Sequence, residues 1–410
     1  MRFRDHDAER DRDDVHRMWR GIGWLKEGQE EAVDLFIAAA RALVAEVDGT
    51  VEGLVASMPG QMRYQEEELS LAAVTTVSVS RRVRKRGVAR RLLARLLAAE
   101  AAEGAHVAAL GMFEQGYYDK LGFGTGSYEH WISFDPAQLR VSNPRRIPDH
   151  LVPNDWAVAH QCRLERMRAH GSCNVLPPAI THAEMLMDKN GFGFGYREAD
   201  NGELTHHLWC SATAPELGPY KVLWMAYRDW HQLLELLGII RSLGDQVRLV
   251  SLREPPGIQL QDLLDKPFGQ CRAREDAQFQ ISSRAIAYWQ VRICDLESCL
   301  ERTHLPGATL RFNLELADPV ERYLGERAPW RGLSGCYVVS LGAASGAEQG
   351  QDKGLPTVKA SVGAFTRMWL GVQSATSLSV TDDLQGPSGL LQELDALLRC
   401  LPGPKWDWDF

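Results

Sequence analysis

The sequence has 410 residues, of which 45% are hydrophobic and 24% are charged, and its formal net charge is −8. Such a length predicts about two to four domains, each large enough to bury its own apolar core. The acidic balance argues against an extended nucleic-acid-binding surface, because phosphate backbones are bound by clusters of Lys and Arg. It suits a small cationic ligand better.

Cysteine spacing and apolar runs argue against several further classes of protein. The eight cysteines show no CxxC spacing, which predicts reduced thiols and no metal site. The charged N-terminal segment lacks the apolar stretch of a signal peptide. No run approaches the roughly 20 apolar residues that a membrane-spanning helix needs. We therefore predict a cytoplasmic protein with no membrane segment.

The first part of the chain has the pattern of one mixed α/β unit. Asp48-Gly49 between two apolar runs predicts a β-hairpin. Four leucines, Leu92, Leu93, Leu96 and Leu97, form the apolar stripe of a helix that packs on a sheet. The predicted elements, in chain order, are helices at Arg10–Trp24 and Gln29–Ala39, strands at Ala42–Val47, Val51–Met58 and Glu68–Val79, a helix at Ala89–Ala102, a strand at His106–Phe113, a short helix at Gly116–Leu121 and strands within Phe123–Phe134.

Two further segments complete the predicted organisation. The prolines Pro144, Pro148 and Pro153 mark a linker. After it, strands, a helix and a strand repeat the order of the first unit without a second cofactor motif, and another α+β segment follows. The predicted fold class is therefore α/β (α+β), with domains at residues 1–142, 143–284 and 285–410.

A basic segment, Arg84–Ala89, follows the strand that ends near Val79 and opens the next helix. It has the pattern R-x-x-G-x-A. The first amides of a helix lack internal partners, and the helix dipole adds to them, so this junction is suited to a pyrophosphate. Gly87 allows close approach of the backbone, and the preceding strand offers backbone groups to an extended ligand. The alternative is an ordinary basic helix start that faces solvent.

A second motif lies further along the chain, at Gly116–Gly124. It reads G-Y-Y-D-K-L-G-F-G, a short helix that ends at a glycine and runs into an aromatic strand. The order of strand, R-x-x-G-x-A, helix, strand and Y-x-K-L-G-F resembles the GNAT superfamily of N-acetyltransferases. That resemblance implies an enzyme that transfers an acetyl group from acetyl-CoA to an amine.

Within that superfamily, the chain resembles the enhanced-intracellular-survival (Eis) family. The resemblance rests on Glu114–Gly124, where that family has a similar E-G-G-x-Y-x-R-F-G-Y-G, on the length, on the degenerate second unit, and on the segment at Trp369 with the aromatic tail. It implies tandem GNAT-like domains followed by a domain similar to sterol carrier proteins. It also implies a hexamer and a primary-amine acceptor, either an aminoglycoside-like or polyamine molecule or a lysine side chain.

The resemblance to the Eis family also implies roles for particular residues. Tyr118 matches the general acid of that family, and the main-chain carboxylate of Phe410 matches its general base. The residues assigned to acetyl-CoA by the motif and by the resemblance are Val77, Ser78, Val79, Arg84, Lys85, Arg86, Gly87, Val88, Ala89 and Arg90.

The residue types agree with a base that lies outside the strand. An amine must lose a proton as it attacks a thioester. The segment Val74–Val79 contains no carboxylate, so the base comes from elsewhere or water acts, and a tail carboxylate fits that gap. Trp19 and Trp24 are candidate walls of the acceptor pocket, with core packing as the alternative. Glu114, Asp407 and Asp409 are candidate acidic contacts for a cationic substrate, or else ordinary surface charges.

Alternatives stay open at this level. The alternative for Tyr118 is a core tyrosine without a catalytic role, and Tyr117 is the rival candidate for the acid. The alternative for the aromatic tail is a plug that packs two domains together. Phe113 stands where the Eis family has a small polar residue, which leaves that cofactor contact open. As whole-chain functions, a protein or peptide lysine acetyltransferase requires a wide groove. A non-catalytic acyl-CoA- or lipid-binding protein requires an open apolar tunnel.

Overall fold

The structure of the protein is a computed structural model that describes residues 1–198, 202–212, 214–265, 267 and 282–410. The described strands are β1 (Arg2–Asp5), β2 (Arg41–Val47), β3 (Thr50–Tyr64), β4 (Glu67–Val79), β5 (Val107–Gly111), β6 (Gly124–Thr125), β7 (Glu129–Phe134), β8 (Asp149–Leu151), β9 (Cys173–Val175), β10 (Gly191–Arg197), β11 (Leu204–Ala212), β12 (Tyr220–Ala226), β13 (Val250–Arg253), β14 (Ser282–Ile286), β15 (Trp289–Ile293), β16 (Leu310–Ala317), β17 (Gly335–Leu341), β18 (Gly346–Gln349), β19 (Thr357–Ser361) and β20 (Leu384–Gln385). The described helices are α1 (Arg12–Ile22), α2 (Glu30–Ala38), α3 (Val88–Ala102), α4 (Trp156–Leu164), α5 (Ala179–Met187), α6 (Trp230–Ser242), α7 (Leu296–Glu301), α8 (Val362–Trp369), α9 (Ala375–Thr381) and α10 (Ser388–Leu398).

These elements confirm the predicted mixed α/β class, because helices pack on sheets that combine parallel and antiparallel strands. They form two compact units, and each unit is assembled from segments that are not consecutive in sequence. Unit 1 contains residues 1–127, 169–177 and 287–410, and unit 2 contains residues 128–168 and 178–286.

Sheet membership accounts for this discontinuity. Strand β6 belongs to a sheet of unit 1, whereas the next strand, β7, belongs to the sheet of unit 2. The chain changes sheets again between β14 and β15. The three consecutive domains at 1–142, 143–284 and 285–410 stay a prediction, and so does the similarity of the third to sterol carrier proteins.

The larger sheet of unit 1 runs in the order β1-β2-β3-β4-β5-β15-β6, with β9 paired to β3. Its β2–β3 hairpin turns at Asp48 and Gly49, whose φ angles are 53° and 82°. Two successive left-handed residues are typical of a type I′ turn, so the predicted hairpin is confirmed. Strand β4 then pairs with β5 in parallel, and α3 is the helix that crosses between them.

Helix α3 covers this sheet with the stripe that the sequence predicts. Leu92, Leu93, Leu96 and Leu97 are all fully buried. Burial of each such side chain contributes about 1.5–3 kcal/mol, so the apolar face fixes the helix to the sheet. The N-terminal turn of α3 is thereby held beside the end of β4.

The smaller sheet of unit 1 has the order β18-β17-β16-β19-β20. It is joined to the larger sheet through a buried aromatic pair. Trp369 at the end of α8 stacks on Tyr64 of β3, with ring centroids 4.4 Å apart. The Trp369 indole donates a hydrogen bond to Thr303 Oγ1 at 2.8 Å, so its polar atom is satisfied although the ring is buried.

The last residues of the sequence also pack inside unit 1. Trp406 and Trp408 are buried, and Asp407 accepts a hydrogen bond from the amide of Cys173 at 3.1 Å. The ring of Trp289, at the start of β15, stacks on that of Trp406 and makes a tilted contact with that of Phe410, with centroid distances of 5.8 Å and 4.8 Å. The tail is therefore tied to β9 by the carboxylate of Asp407 and to β15 by its aromatic rings.

Unit 2 is built on one sheet, whose described strands run in the order β14-β7-β13-β12-β11-β10-β8. Helix α6 connects β12 to β13, which pair in parallel as β4 and β5 do in unit 1. This repeats the strand–helix–strand order predicted for a degenerate second copy. Adjacent histidines, His206 and His207, lie on β11 and are buried.

Membrane and thiol features can be stated for the described part of the chain. No helix there is long and apolar enough to cross a bilayer. The cysteines that the structure describes form no disulfide, and most of them are buried. Cys271 lies outside the described residues.

Buried His207 predicts that unit 2 loses stability in mild acid. Burial lowers the pKa of His207 to about 3, with Arg163 and His206 acting in the same direction, and its Nε2 accepts a hydrogen bond from the Trp224 indole at 3.0 Å. As the pH falls, the unfolded chain therefore binds a proton at this histidine before the folded chain does. The stability that neutral His207 contributes is complete above the unfolded pKa of about 6.5 and is lost as the pH falls toward the folded pKa.

We expect His207→Gln to flatten this dependence by up to about 1.4 kcal/mol of unfolding free energy per pH unit below pH 6.5. Urea unfolding of both proteins at pH 7 and pH 5 measures the difference. The matched control is His231→Gln, because the His231 side chain is 80% exposed. An equal pH slope for wild type and His207→Gln would contradict the assignment.

Packing of the tail on Trp289 predicts that shortening this ring releases the tail. In Trp289→Leu the stacking surface for Trp406 and Phe410 is lost, so the last residues should become accessible to carboxypeptidase. Mass spectrometry of timed digests measures the trimming. Phe113→Leu is the control, since Phe113 is 86% exposed and its truncation should leave the tail resistant. Equal resistance in all three proteins would show that Trp289 does not hold the tail.

Candidate functional site

Strands β4 and β5 pair over only a short stretch. Leu71–Ala73 lie beside Val107–Ala109 in parallel register. Beyond that point β4 continues to Val79, whereas β5 ends at Gly111 and pairs along its other edge with β15. Within the described chain, no strand pairs with the β5-facing edge of Val74–Val79. That edge keeps backbone donors and acceptors for an extended ligand.

A bulge in β4 marks the point where the strands part. The register between β3 and β4 shifts between Leu54 and Ala56, and Thr76 has φ of 54°. A bulge bends its strand and increases the local twist, which turns the following residues away from β5. The predicted strand contacts Val77, Ser78 and Val79 all lie just beyond this bulge.

One side chain of this segment is tied to helix α1. Ser78 is buried, and its Oγ accepts a hydrogen bond from the Trp19 indole at 3.1 Å. Trp24 packs edge-to-face on Trp19, with ring centroids 5.7 Å apart, and remains 48% exposed. Trp19 is thus a core residue, whereas Trp24 presents an aromatic surface next to it.

The connection from β4 to α3 has the geometry of an anion site. Lys85 and Gly87 both have left-handed backbones, with φ of 62° and 72°, and α3 begins at Val88 without a side-chain cap. Left-handed residues just before a helix turn successive amides in one direction, and the helix dipole adds a partial positive charge there. A Cβ at Gly87 would meet open space, so the left-handed backbone rather than crowding favours glycine.

The basic side chains of this connection differ in their surroundings. Arg84, Lys85 and Arg86 are exposed, and none of their side chains has a hydrogen-bonded or ionic partner in the described structure. Arg90 is held instead: it donates a hydrogen bond to Tyr323 Oη at 3.1 Å and lies over the ring of Tyr117. Val88 is buried in the core, and Ala89 is half-buried, so these two residues offer only their backbone to a ligand.

Tyr118 begins a 3₁₀ turn that follows β5. The residue is 4% exposed, and its ring packs edge-to-face on those of Tyr117 and Phe123. Its hydroxyl forms no hydrogen bond within the described chain, and burial raises the pKa of Tyr118 well above 10. The phenol is therefore protonated at neutral pH and is an available donor. Tyr117, by contrast, contacts the Arg90 guanidinium.

The structure brings the tail to the same end of β5. Trp289, whose ring contacts that of Phe410, is the register partner of Gly111, the last residue of β5. The same strand end leads directly into the segment that carries Tyr118. Glu114 lies exposed on that segment, and Asp409 is exposed beside Phe410 in the sequence. The sequence pattern contained no signal for Trp289 or Tyr323, since each meets its partner only through the fold.

The chain matches a known family over part of its length. Residues 8–126 match the model of the acetyltransferase (GNAT) domain. This span contains the free edge of β4, the Arg84–Arg90 connection and Tyr118, but not Phe410. No curated protein sequence matches the chain.

Solved structures share the fold along the whole chain. A protein from Enterococcus faecalis described as a probable N-acyltransferase has a TM-score of 0.80 at 18% identity, covering 100% of this chain and 99% of that one. A GCN5-related N-acetyltransferase from Anabaena variabilis has a TM-score of 0.76 at 15% identity, and both chains are covered completely. Eis1 from Mycobacterium abscessus has a TM-score of 0.73 at 18% identity, again with complete coverage of both.

These matches confirm the GNAT domain predicted from the two motifs, and they extend the likeness to Eis1 at the level of fold. In this chain, the free edge of β4, the helix start at Gly87 and the buried Tyr118 all lie within the matched residues. The segment 8–126 of this chain is an acetyltransferase domain of the GNAT type.

Proposed function

We propose that the protein transfers the acetyl group of acetyl-CoA directly to a primary amine of a small cationic molecule, aminoglycoside-like or polyamine. The observation that carries this proposal is the continuity of three features in unit 1. The free edge of β4 leads into the helix start at Gly87, and protonated Tyr118 lies beyond the adjacent end of β5.

The residues present fit acetyl-CoA. The free backbone of Val77–Val79 matches the amides of the pantetheine arm, which bind as an added strand does. The amides from Gly87 to Arg90 suit the pyrophosphate, and exposed Arg84, Lys85 and Arg86 suit the remaining phosphate charge. Arg90 contributes its amide, while its guanidinium is held by Tyr323.

The transfer requires a proton to leave the amine and a proton to reach the sulfur. The amine nitrogen attacks the thioester carbonyl, a C–N bond forms, and the C–S bond breaks to release a thiolate. We assign Tyr118 as the donor to that thiolate, because burial keeps its phenol protonated and its hydroxyl makes no competing hydrogen bond in the described chain.

The carboxylate of Phe410 is the base in this proposal. Strand β4 carries no carboxylate from Val74 to Val79, so the amine proton must go elsewhere. The tail packs on Trp289, whose register partner is the last residue of β5, and this supports a carboxylate at the same end of the sheet as Tyr118. The aromatic-plug alternative predicts the same packing, and the tail-extension experiment separates the two.

A cationic acceptor agrees with the side chains that surround this end of the sheet. The exposed ring of Trp24 offers a face for a cation, and Glu114 and Asp409 add exposed negative charge. By the same resemblance to the Eis family, we propose a homo-hexamer located in the cytoplasm, with a sterol-carrier-like third domain.

The Tyr118 assignment predicts a specific loss in Tyr118→Phe. We expect kcat for CoA release to fall by about 10²–10⁴, because a general acid contributes that factor, while the Kd of acetyl-CoA stays unchanged. Free CoA release is followed with a panel of aminoglycosides, polyamines and lysine peptides. Tyr337→Phe is the control, since Tyr337 is a similarly buried tyrosine on β17.

Each outcome of this panel has a meaning for the proposal. Full activity in Tyr118→Phe removes the acid from the mechanism. Turnover of lysine peptides alone replaces the small-molecule acceptor with a protein substrate. Binding of acetyl-CoA without turnover of any amine overturns the enzyme in favour of a binding protein.

The Phe410 assignment predicts that one extra residue at the tail abolishes activity. A glycine added after Phe410 moves the terminal carboxylate while keeping the ring that contacts Trp289. We expect kcat to fall by about 10²-fold or more, as for the loss of a general base. Phe410→Leu is the matched control, because it keeps the carboxylate in place and shortens the ring. Full activity of the extended protein, or an equal loss of kcat in the extended protein and in Phe410→Leu, would favour the alternative in which the tail is only an aromatic plug.

A further inference from the structure

The turn that carries Tyr118 has little internal support. It is a 3₁₀ turn of four residues, Tyr118–Leu121, and such short turns are weakly stable by themselves. The hydroxyl of Tyr118 forms no hydrogen bond within the described chain that would fix the side chain. Packing on Tyr117 and Phe123 fixes the ring, and the placement of its hydroxyl depends further on the contacts that hold the turn.

Strand β15 contacts this turn at two points, the side chain of Asp119 and the backbone carbonyl of Leu121. The Gln290 amide donates hydrogen bonds to Asp119 Oδ1 at 2.7 Å and to Thr125 Oγ1 at 3.1 Å. The Arg292 guanidinium donates to the carbonyl of Leu121. Gln290 and Arg292 are two residues apart, so a strand directs both toward the same face. They are 171 residues from their partners Asp119 and Leu121 in the sequence.

Arg292 is itself fixed by a buried ion pair. It is fully buried, and its Nη2 lies 2.6 Å from Asp318 Oδ2. A buried charge requires its partner, so this guanidinium has one stable position. Gly122 is adapted to it: its φ is 80°, and a Cβ there would lie 2.8 Å from Arg292 Nη1 and 3.1 Å from Asp318 Oδ1.

The same carboxylate also organises a neighbour of helix α3. Asp318 accepts hydrogen bonds from the amides of Val320 and Leu333, at 3.2 Å and 3.0 Å, and thereby begins the 3₁₀ turn Pro319–Tyr323. Tyr323 at the end of that turn accepts the hydrogen bond from Arg90, in the first turn of α3. Asp318 thus connects the Tyr118 turn with the helix start assigned to the pyrophosphate.

We infer that Arg292 and Asp318 are a positioning pair that holds Tyr118 at a fixed distance from the helix start of α3. This inference rests on the proposed function, because it presumes that Tyr118 protonates the leaving thiolate. The pair touches neither substrate in this arrangement. Its effect is on the geometry of proton donation and therefore on kcat, with little effect on the binding of acetyl-CoA.

The test removes both charges together, because removal of one alone leaves an uncompensated buried ion. In Arg292→Met with Asp318→Asn, the asparagine oxygen still accepts from the Val320 amide. We expect kcat to fall roughly 10- to 100-fold, as for a small misplacement of a catalytic group, and the Kd of acetyl-CoA to stay within about threefold.

A double-mutant cycle with Tyr118→Phe separates positioning from general destabilisation. If the pair acts through Tyr118, neutralising the pair in the Tyr118→Phe background lowers kcat by less than about threefold, because the acid that it positions is already absent. The control is Arg163→Met with Glu184→Gln, an ion pair of a buried arginine with a partly buried carboxylate, which belongs to unit 2. It should lower stability without lowering kcat.

The results that overturn the inference are distinct from those that overturn the function. Wild-type kcat in the neutral pair, or fully multiplicative losses in the cycle, removes the positioning role while Tyr118 remains the acid. A silent Tyr118→Phe in the wild-type background removes the acid itself. If the neutral pair fails to fold, Arg292→Lys replaces it, since a lysine keeps the charge but not the fork that reaches Leu121. Wild-type kcat in Arg292→Lys overturns the inference.

Discussion

The insertion of β15 between β5 and β6 is the interaction on which the candidate site depends. Strand β5 pairs with β4 through three residue pairs and with β15 through five, so most of its hydrogen bonding comes from β15. Because β15 satisfies the other edge of β5, β4 and β5 can part beyond Ala73 and Ala109 without leaving β5 unpaired. The free edge of β4 is a consequence of this pairing of β5 with β15.

Successive side chains of β15 point to opposite faces of the sheet and therefore contact different parts of the protein. Trp289 stacks with the aromatic tail, whereas Gln290 and Arg292 face the Tyr118 turn. One strand therefore supplies the platform for the tail and the anchor for the turn. The two groups proposed to move protons, Tyr118 and the Phe410 carboxylate, are both held by residues that the matched GNAT segment does not contain.

The backbone that leads into α3 illustrates how the core stabilises an unfavourable conformation. Thr76 in β4 and Lys85 in the connection from β4 to α3 have left-handed φ angles, each of which costs about 1 kcal/mol or more for a residue with a Cβ. Burial of the α3 leucines and of Val88 offsets this conformational cost, because these side chains fix the helix to the sheet. The amides at Gly87 can then stay exposed without fraying the helix.

The sequence by itself determined the features that arise from neighbouring residues. The Asp48-Gly49 turn, the leucine stripe of α3 and the basic helix start at Gly87 all follow from local conformational preference and helical spacing. The two motifs also predicted the GNAT domain whose model matches residues 8–126, because strand, loop and helix are close in sequence there. Tyr118 was recognised as a candidate for the same reason.

Only the tertiary structure decided which distant residues complete the site. The sequence around Trp289, Gln290 and Arg292 does not indicate that β15 pairs with β5 and β6, which lie more than 150 residues earlier. It also does not indicate that the chain passes from this sheet to the sheet of unit 2 between β6 and β7 and back between β14 and β15. Arg90 lies in the basic motif, and only the fold shows that its guanidinium donates a hydrogen bond to Tyr323. Such pairings depend on sheet register and burial, and these arise from the packing of the whole chain rather than from the pattern of any one segment.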